Sequence, residues 1–221
     1  FLHMWDKIVP APQVAAGDDG SFQFTLEDEK SGYMLVATAP GHGIAWARTD
    51  THPLPVLTLR LTPDEPIRGK VADPDGKPVA GVSVSVVMAY QPHEDKTLDR
   101  WLKVMRDPKD EQHVGLETLQ DYHTGFAGLL GPVTSDRDGK FELRGLGRDR
   151  LAVLRVTGAT TATHQLTVVT RKVERLTGRN IPFVGESTVH GSEPLVTADP
   201  VPVTTGYVLD GAGEPVPGTV L

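Results

Sequence analysis

The chain contains no cysteine. That excludes disulfides, thiolate nucleophiles and cysteine-based zinc sites, and leaves the compartment open, because an exported β-protein can lack disulfides. Asparagine occurs once, at Asn180. It lies outside the expected strands, which argues against the Lys–Asn isopeptide links of some surface β-domains, and Asn180-Ile181-Pro182 is not an N-glycosylation acceptor. Cations are in deficit: 22 Lys and Arg face 29 Asp and Glu, a net charge of −7. A nucleic-acid partner needs clustered cations to displace counterions, so none is expected. No apolar run approaches the roughly 18 residues of a membrane-spanning helix, so no membrane span is expected in this segment.

What the chain does contain is turn punctuation. Its 23 Gly and 18 Pro fall at intervals between short apolar runs, as turns between strands do. The 221 residues, 38% hydrophobic and 23% charged, are enough to bury a core. Pro10 and Pro12 favour an extended lead-in. Phe22, Phe24 and Leu26 alternate after a Gly17-Asp18-Asp19-Gly20 turn, which predicts a half-buried strand. Further strands are expected at Tyr33 to Ala39, Ile44 to Arg48, Val56 to Leu61, Ile67 to Ala72 and Val82 to Val87. The period then changes. Leu98, Trp101, Leu102 and Met105 stand at i, i+3, i+4 and i+7 behind Thr97 or Asp95 as N-cap, which predicts a helix stopped by Pro108. Asp110 to His123 repeats the signal through Val114, Leu119 and Tyr122, so 89–132 reads as a helical hairpin inserted between strands. Phe141 and Leu143, Arg150 to Val156 and Gln165 to Thr170 return to strands. The prolines Pro182, Pro194 and Pro200 mark 173–200 as an irregular connector.

Two internal matches organise these pieces. Gly206 to Gly218 superposes without gaps on Gly69 to Gly81, with identity at Gly69/Gly206, Val71/Val208, Asp73/Asp210, Gly76/Gly213, Pro78/Pro215, Val79/Val216 and Gly81/Gly218. Asp19-Gly20-Ser21-Phe22-Gln23-Phe24 matches Asp138-Gly139-Lys140-Phe141-Glu142-Leu143. The matched positions are turn glycines and inward apolar residues, those a sandwich needs.

The order strand, Asp-x-x-Gly turn, Pro-Val-x-Gly corner, strand, Asp-Gly-x-Phe-x-Leu resembles the carboxypeptidase regulatory-like family, a transthyretin-like, prealbumin-type β-sandwich. Gly69-Lys70-Val71, Asp73 to Val82 and Thr134 to Leu143 carry the resemblance, which covers about residues 64–172 and two partial copies. It implies an all-β fold of tandem Ig-like modules: 1–63 as the back half of one, 64–172 as a complete one with 89–132 inserted, 173–200 as connector, and 201–221 as the front strands of another. Such modules occur in tandem in large bacterial proteins, so an extracellular or cell-surface location is expected. A half sandwich exposes an edge. Either the chain belongs to a longer repeat protein, or 201–221 completes 1–63 in the same chain or in a neighbouring one. The partners expected are other β-sandwich modules, head-to-tail copies of this chain included.

Chemistry is sparse. His93, Glu94, Asp95, His113, Tyr122 and His123 crowd the insertion, but no His-x-His pair or HExxH helix is present, and no metal is expected. Asp73-Pro74-Asp75-Gly76 and Asp136-Arg137-Asp138-Gly139 alternate carboxylates as calcium loops do, yet lack the closing Glu, so tight turns are expected. No Gly-x-Ser-x-Gly elbow occurs. The Tyr-Arg-Gly-Ser ending of transthyretin-like hydrolases is replaced by Pro217-Gly218-Thr219-Val220-Leu221, and neither catalytic residues nor a cofactor is expected. Trp46, Tyr90, Trp101 and Tyr122 form a candidate glycan-stacking platform, although Trp101 falls on the apolar face of its helix, where core packing is the simpler role. Arg171, Lys172 and Arg175 read as a solvated basic loop. The expected function is a structural or assembly module, with glycan binding or an accessory role in a larger enzyme or regulator as alternatives.

Overall fold

A computed structural model of the chain describes residues 13–23, 33–49, 56–93, 97–106, 119–123, 129–181, 185–201 and 205–217. Its strands are β1 (Tyr33–Ala37), β2 (Ala45–Thr49), β3 (Ile67–Ala72), β4 (Ser83–Pro92), β5 (Leu119–His123), β6 (Val133–Thr134), β7 (Lys140–Leu143), β8 (Leu151–Gly158), β9 (Thr161–Val169), β10 (Leu176–Ile181), β11 (Gly185–His190) and β12 (Leu195–Thr197). One helix, α1 (Asp99–Arg106), lies between β4 and β5. The architecture is all-β, and among the described residues no helix is long and apolar enough to cross a membrane.

Two sheets face each other. The smaller runs β12-β3-β7, and the larger runs β10-β11-β9-β8-β4-β5, with β6 beside β4. Strict alternation explains the interface: β3 buries Ile67, Gly69 and Val71 while Arg68 and Lys70 stay outside, and β7 buries Phe141 and Leu143. These residues meet Val84 and Val86 of β4, Leu154 and Val156 of β8 and Val168 of β9 in one apolar core.

A bulge in β4 between Val86 and Met88 resets its phase against β8. Val84, Val86 and Ala89 therefore face the small sheet, whereas Met88 and Tyr90 turn to the other face. There α1 lays Leu98, Trp101, Leu102 and Met105 against Tyr90, Leu151, Val169 and Val189. Leu98, just before the helix, and the helix residues Trp101, Leu102 and Met105 are those the i, i+3, i+4, i+7 spacing selects. Thr97 caps the helix, its hydroxyl accepting from the Asp99 N–H at 3.2 Å.

The hairpin β1-β2 is a sheet of its own, yet it belongs to the main core, with Ile44 and Trp46 buried in it and Met34 and Val36 packed alongside. It docks at the end where β3 starts and β4 finishes. There the Ile44 N–H donates to the Gly145 carbonyl (2.8 Å), the Gln91 side chain donates to the Trp46 carbonyl (2.6 Å), and Gly43 passes so close to Gly147 that a Cβ on it would lie 2.0 Å from the Gly147 Cα. The opposite end carries the β3-β4 turn and the β8-β9 hairpin, along which residues 198–201 run, with Ala162 N–H donating to the Asp199 carbonyl (2.8 Å).

Several expectations are corrected. Residues 173–200 are not an irregular connector: they supply β10, β11 and β12, and β12 pairs in parallel with β3. The second helix of the hairpin is absent where the chain is described, because Leu119–His123 pairs with β4 as a strand; 110–118 lie outside the described residues. Val56 to Leu61 forms no strand, and Val56 is fully exposed. Ser21 to Gln23 is likewise not in a strand, and Phe24 and Leu26 lie outside the described residues.

Candidate functional site

The same turn is built four times. At Gly17–Ser21, Asp73–Lys77, Asp136–Lys140 and Asp210–Glu214 the first residue's N–H donates to the fifth carbonyl, and the fourth N–H donates back to the first carbonyl, all at 2.8–3.0 Å. The fourth residue is always a glycine at positive φ: Gly20, Gly76, Gly139 and Gly213. This is the three-residue hairpin loop whose last position is left-handed. In three of the four, the leading aspartate closes the turn itself. Asp73 Oδ1 accepts from the Lys77 N–H (2.8 Å), Asp136 Oδ1 from Asp138 and Lys140, and Asp210 Oδ1 from Ala212 and Glu214. In the two Asp-x-Asp-Gly segments expected as tight turns, the leading carboxylates of Asp73 and Asp136 are thus turn caps. The backbone N–H of Glu214, then that of Ala212, holds the Asp210 carboxyl below its ordinary range.

The sequence repeat is a structural repeat. Val79 N–H donates to the Val71 carbonyl (3.1 Å) and Val216 N–H to the Val208 carbonyl (2.9 Å), while Ala72 bridges Pro78 and Leu209 bridges Pro215. Their surroundings differ. The first hairpin is covered: Val71 N–H donates to the Gly139 carbonyl (2.7 Å), and the Phe141 ring lies over Gly69, where a Cβ would fall 2.2 Å from a ring carbon. Ser135 clamps its corner, donating through its hydroxyl to the Val79 carbonyl (2.8 Å) and accepting from the Val82 N–H (3.0 Å). In the second hairpin Tyr207 is 93% exposed, Val208 is 37% exposed where Val71 is 0%, and Gly206 has no atom within 4 Å of the place a Cβ would take. Gly218 lies outside the described residues.

No protein-family model matches this chain, and no curated protein does.

The aromatic platform does not come together as a surface. Trp46, Tyr90 and Trp101 are buried, the first in the core between the sheets and the other two where α1 meets the large sheet; the Tyr122 side chain lies outside the described residues. Over Trp46 sits Arg150, 5.7 Å from the ring centroid, itself buried and donating to the carbonyls of Arg148 (3.0 Å) and Ile44 (3.3 Å). Burial pushes this guanidinium down to about 10, against a smaller opposing pull from Asp149. Sequence reading missed Arg150; a cation opening the run Leu151-Ala152-Val153-Leu154 was its only trace. The basic loop is also not simply solvated. Arg171 joins Asp99 at the start of α1 (2.5 Å) to Asp149, and Lys172 pairs with Glu193 (2.9 Å).

Among the described residues no three His, Asp or Glu converge as metal ligands. Of the histidine cluster His93 is described, whereas Glu94, Asp95 and His113 lie outside the described residues, as do the side chains of Tyr122 and His123. An open cleft of about 620 Å³ runs over Arg68, Lys70, Glu142 and Leu195 on the small sheet. It carries the Arg68–Glu142 ion pair at 2.9 Å.

His190, at the end of β11, gives the fold a pH dependence. Burial first, and the Arg175 guanidinium second, push its pKa below the ordinary value. The unfolded chain therefore takes up this proton first, so stability present above about pH 6.5 is lost as the pH falls towards the lower folded value. Urea melts of wild type and His190→Gln across pH 5–8 are expected to diverge at the acid end, with the variant losing less; parallel curves would remove His190 as the cause.

Proposed function

We propose that the protein is a non-catalytic structural module, a carboxypeptidase regulatory-like or transthyretin-like β-sandwich that assembles with other β-sandwich modules at a bacterial cell surface, stalk or filament. The observation that carries this reading is the hairpin built twice with the same hydrogen bonds, once covered by a Phe-bearing strand and once exposed. An exposed strand edge with inward-type apolar residues is the feature that modular β-proteins use for joining. The described sandwich core is packed: Trp46, Tyr90, Trp101 and Phe141 are buried, and Asp73 and Asp136 cap turns.

Light scattering of the full chain over a wide concentration range tests this. The expected result is a mass that rises with concentration and falls on dilution. A monomer at every concentration, together with binding to a glycan, would replace this reading with the glycan-binding alternative.

A further inference from the structure

Gly206 is a glycine without a local reason. Its φ lies outside the left-handed range, and among the described residues nothing approaches its missing side chain. Its counterpart Gly69 has a reason, because the Phe141 ring occupies the space a side chain would fill. Phe141 belongs to the Asp-Gly-x-Phe segment, whose other copy in this chain places Phe22 after the Gly17–Ser21 turn. Phe22 is 36% exposed where Phe141 is buried.

In the central sandwich Arg68 pairs with Glu142, Gly69 with Phe141 and Lys70 with Lys140, and Val71 N–H reaches the Gly139 carbonyl. Carried over through the two repeats, these pairs become Thr205 with Gln23, Gly206 with Phe22, Tyr207 with Ser21, and Val208 N–H on the Gly20 carbonyl. We propose that residues 205–208 of one molecule accept residues 20–23 of a second copy as an antiparallel strand in this register, with the Phe22 ring seated on Gly206. The inference rests on the assembly reading above and names its joint.

A second copy is favoured over closure within one chain. Within one chain the two segments do not meet: no backbone hydrogen bond joins residues 20–23 to residues 205–208, and no described atom lies within 4 Å of a Cβ on Gly206. Donor and acceptor are different segments of the chain, so the contact is heterologous and head-to-tail.

The absence of cysteine makes the register testable by one disulfide. The Arg68 N–H points away from β7, to the Ser192 carbonyl at 2.8 Å. Arg68 and Glu142 are thus a non-hydrogen-bonded pair, with Cα atoms about 4.5 Å apart, a separation a disulfide spans. The full chain carrying Thr205→Cys and Gln23→Cys, oxidised in air, is expected to give dimers and a ladder on non-reducing gels. A disulfide within single chains, or none, overturns the second-copy joint. Separately, Gly206→Val is expected to weaken self-association at least about tenfold by filling the seat of the ring, with thermal unfolding unchanged because a side chain at 206 meets no described atom within 4 Å. Undiminished association of Gly206→Val overturns the joint while leaving the assembly reading intact. Wild type that never self-associates overturns the assembly reading itself.

Discussion

Gly139→Ala is expected to destabilise the protein by about 3 kcal/mol more than Gly76→Ala, or roughly 6–12 °C in melting temperature. The two glycines hold the same position in the same turn, with φ of 73° and 83°. A left-handed alanine costs about 1–2 kcal/mol in either. Beyond that the sites part. A Cβ on Gly76 meets nothing within 4 Å, whereas one on Gly139 falls 2.2 Å from the Val71 carbonyl oxygen. That oxygen is backbone of a core strand and already accepts from Val79 N–H, so it cannot swing aside as a side chain would. Urea unfolding of the two variants measures the difference directly. Equal losses would show that β3 and the 136–140 turn separate more easily than their packing indicates.

Trp46→Ala is expected to cost about 3–5 kcal/mol, the range for a large aromatic removed from a packed core. The ring is 1% exposed and lies in the inter-sheet core. Its loss also takes away the face beneath the buried Arg150 guanidinium, and it loosens the backbone carbonyls of the 44–46 segment that Arg150 and Gln91 hold. Thermal and urea melts should show the loss, and limited proteolysis should cut first at the ends of β1-β2. The outcome separates two roles. A stacking platform would lose its ligand and keep its stability; a core residue loses stability outright.

The parts of this fold legible in the sequence are those set by local period. Val82 to Val87 alternates because every second residue enters the core, and α1 shows its buried stripe in four residues. The turns were legible too, since Asp and Gly at fixed spacing meet backbone demands no other pair meets as well. What the sequence hid depends on distant partners. β12 has one inward apolar residue, Val196, between exposed Leu195 and Thr197, too little for any period, and it exists because β3 offers an edge. Leu119 and Tyr122 suit a helix or a strand equally, and pairing with Met88–Pro92 decides for the strand. Val56 to Leu61 alternates without β-pairing in the described structure, so its period alone makes no sheet. Trp46, between two alanines, carries no directional signal, and docking of β1-β2 turns it inward. As for the candidate site, the repeat that defines it was legible in full, whereas the difference between its covered and exposed copies was not.

The parallel pairing of β3 with β12 sets the order in which this molecule can be finished. Leu195 joins Lys70 across more than half of the chain, and β12 is synthesised after every other strand described. At roughly 5–20 residues per second, β3 emerges on the order of ten seconds before the strand that closes its edge. During that interval the nascent small sheet can hold β3 and β7 and no more, with the core open along one side. Long-range closure of this kind slows folding and prolongs exposure of strand edges, so the newborn chain is most vulnerable to mispairing with its neighbours on the same message before residue 197 clears the ribosome.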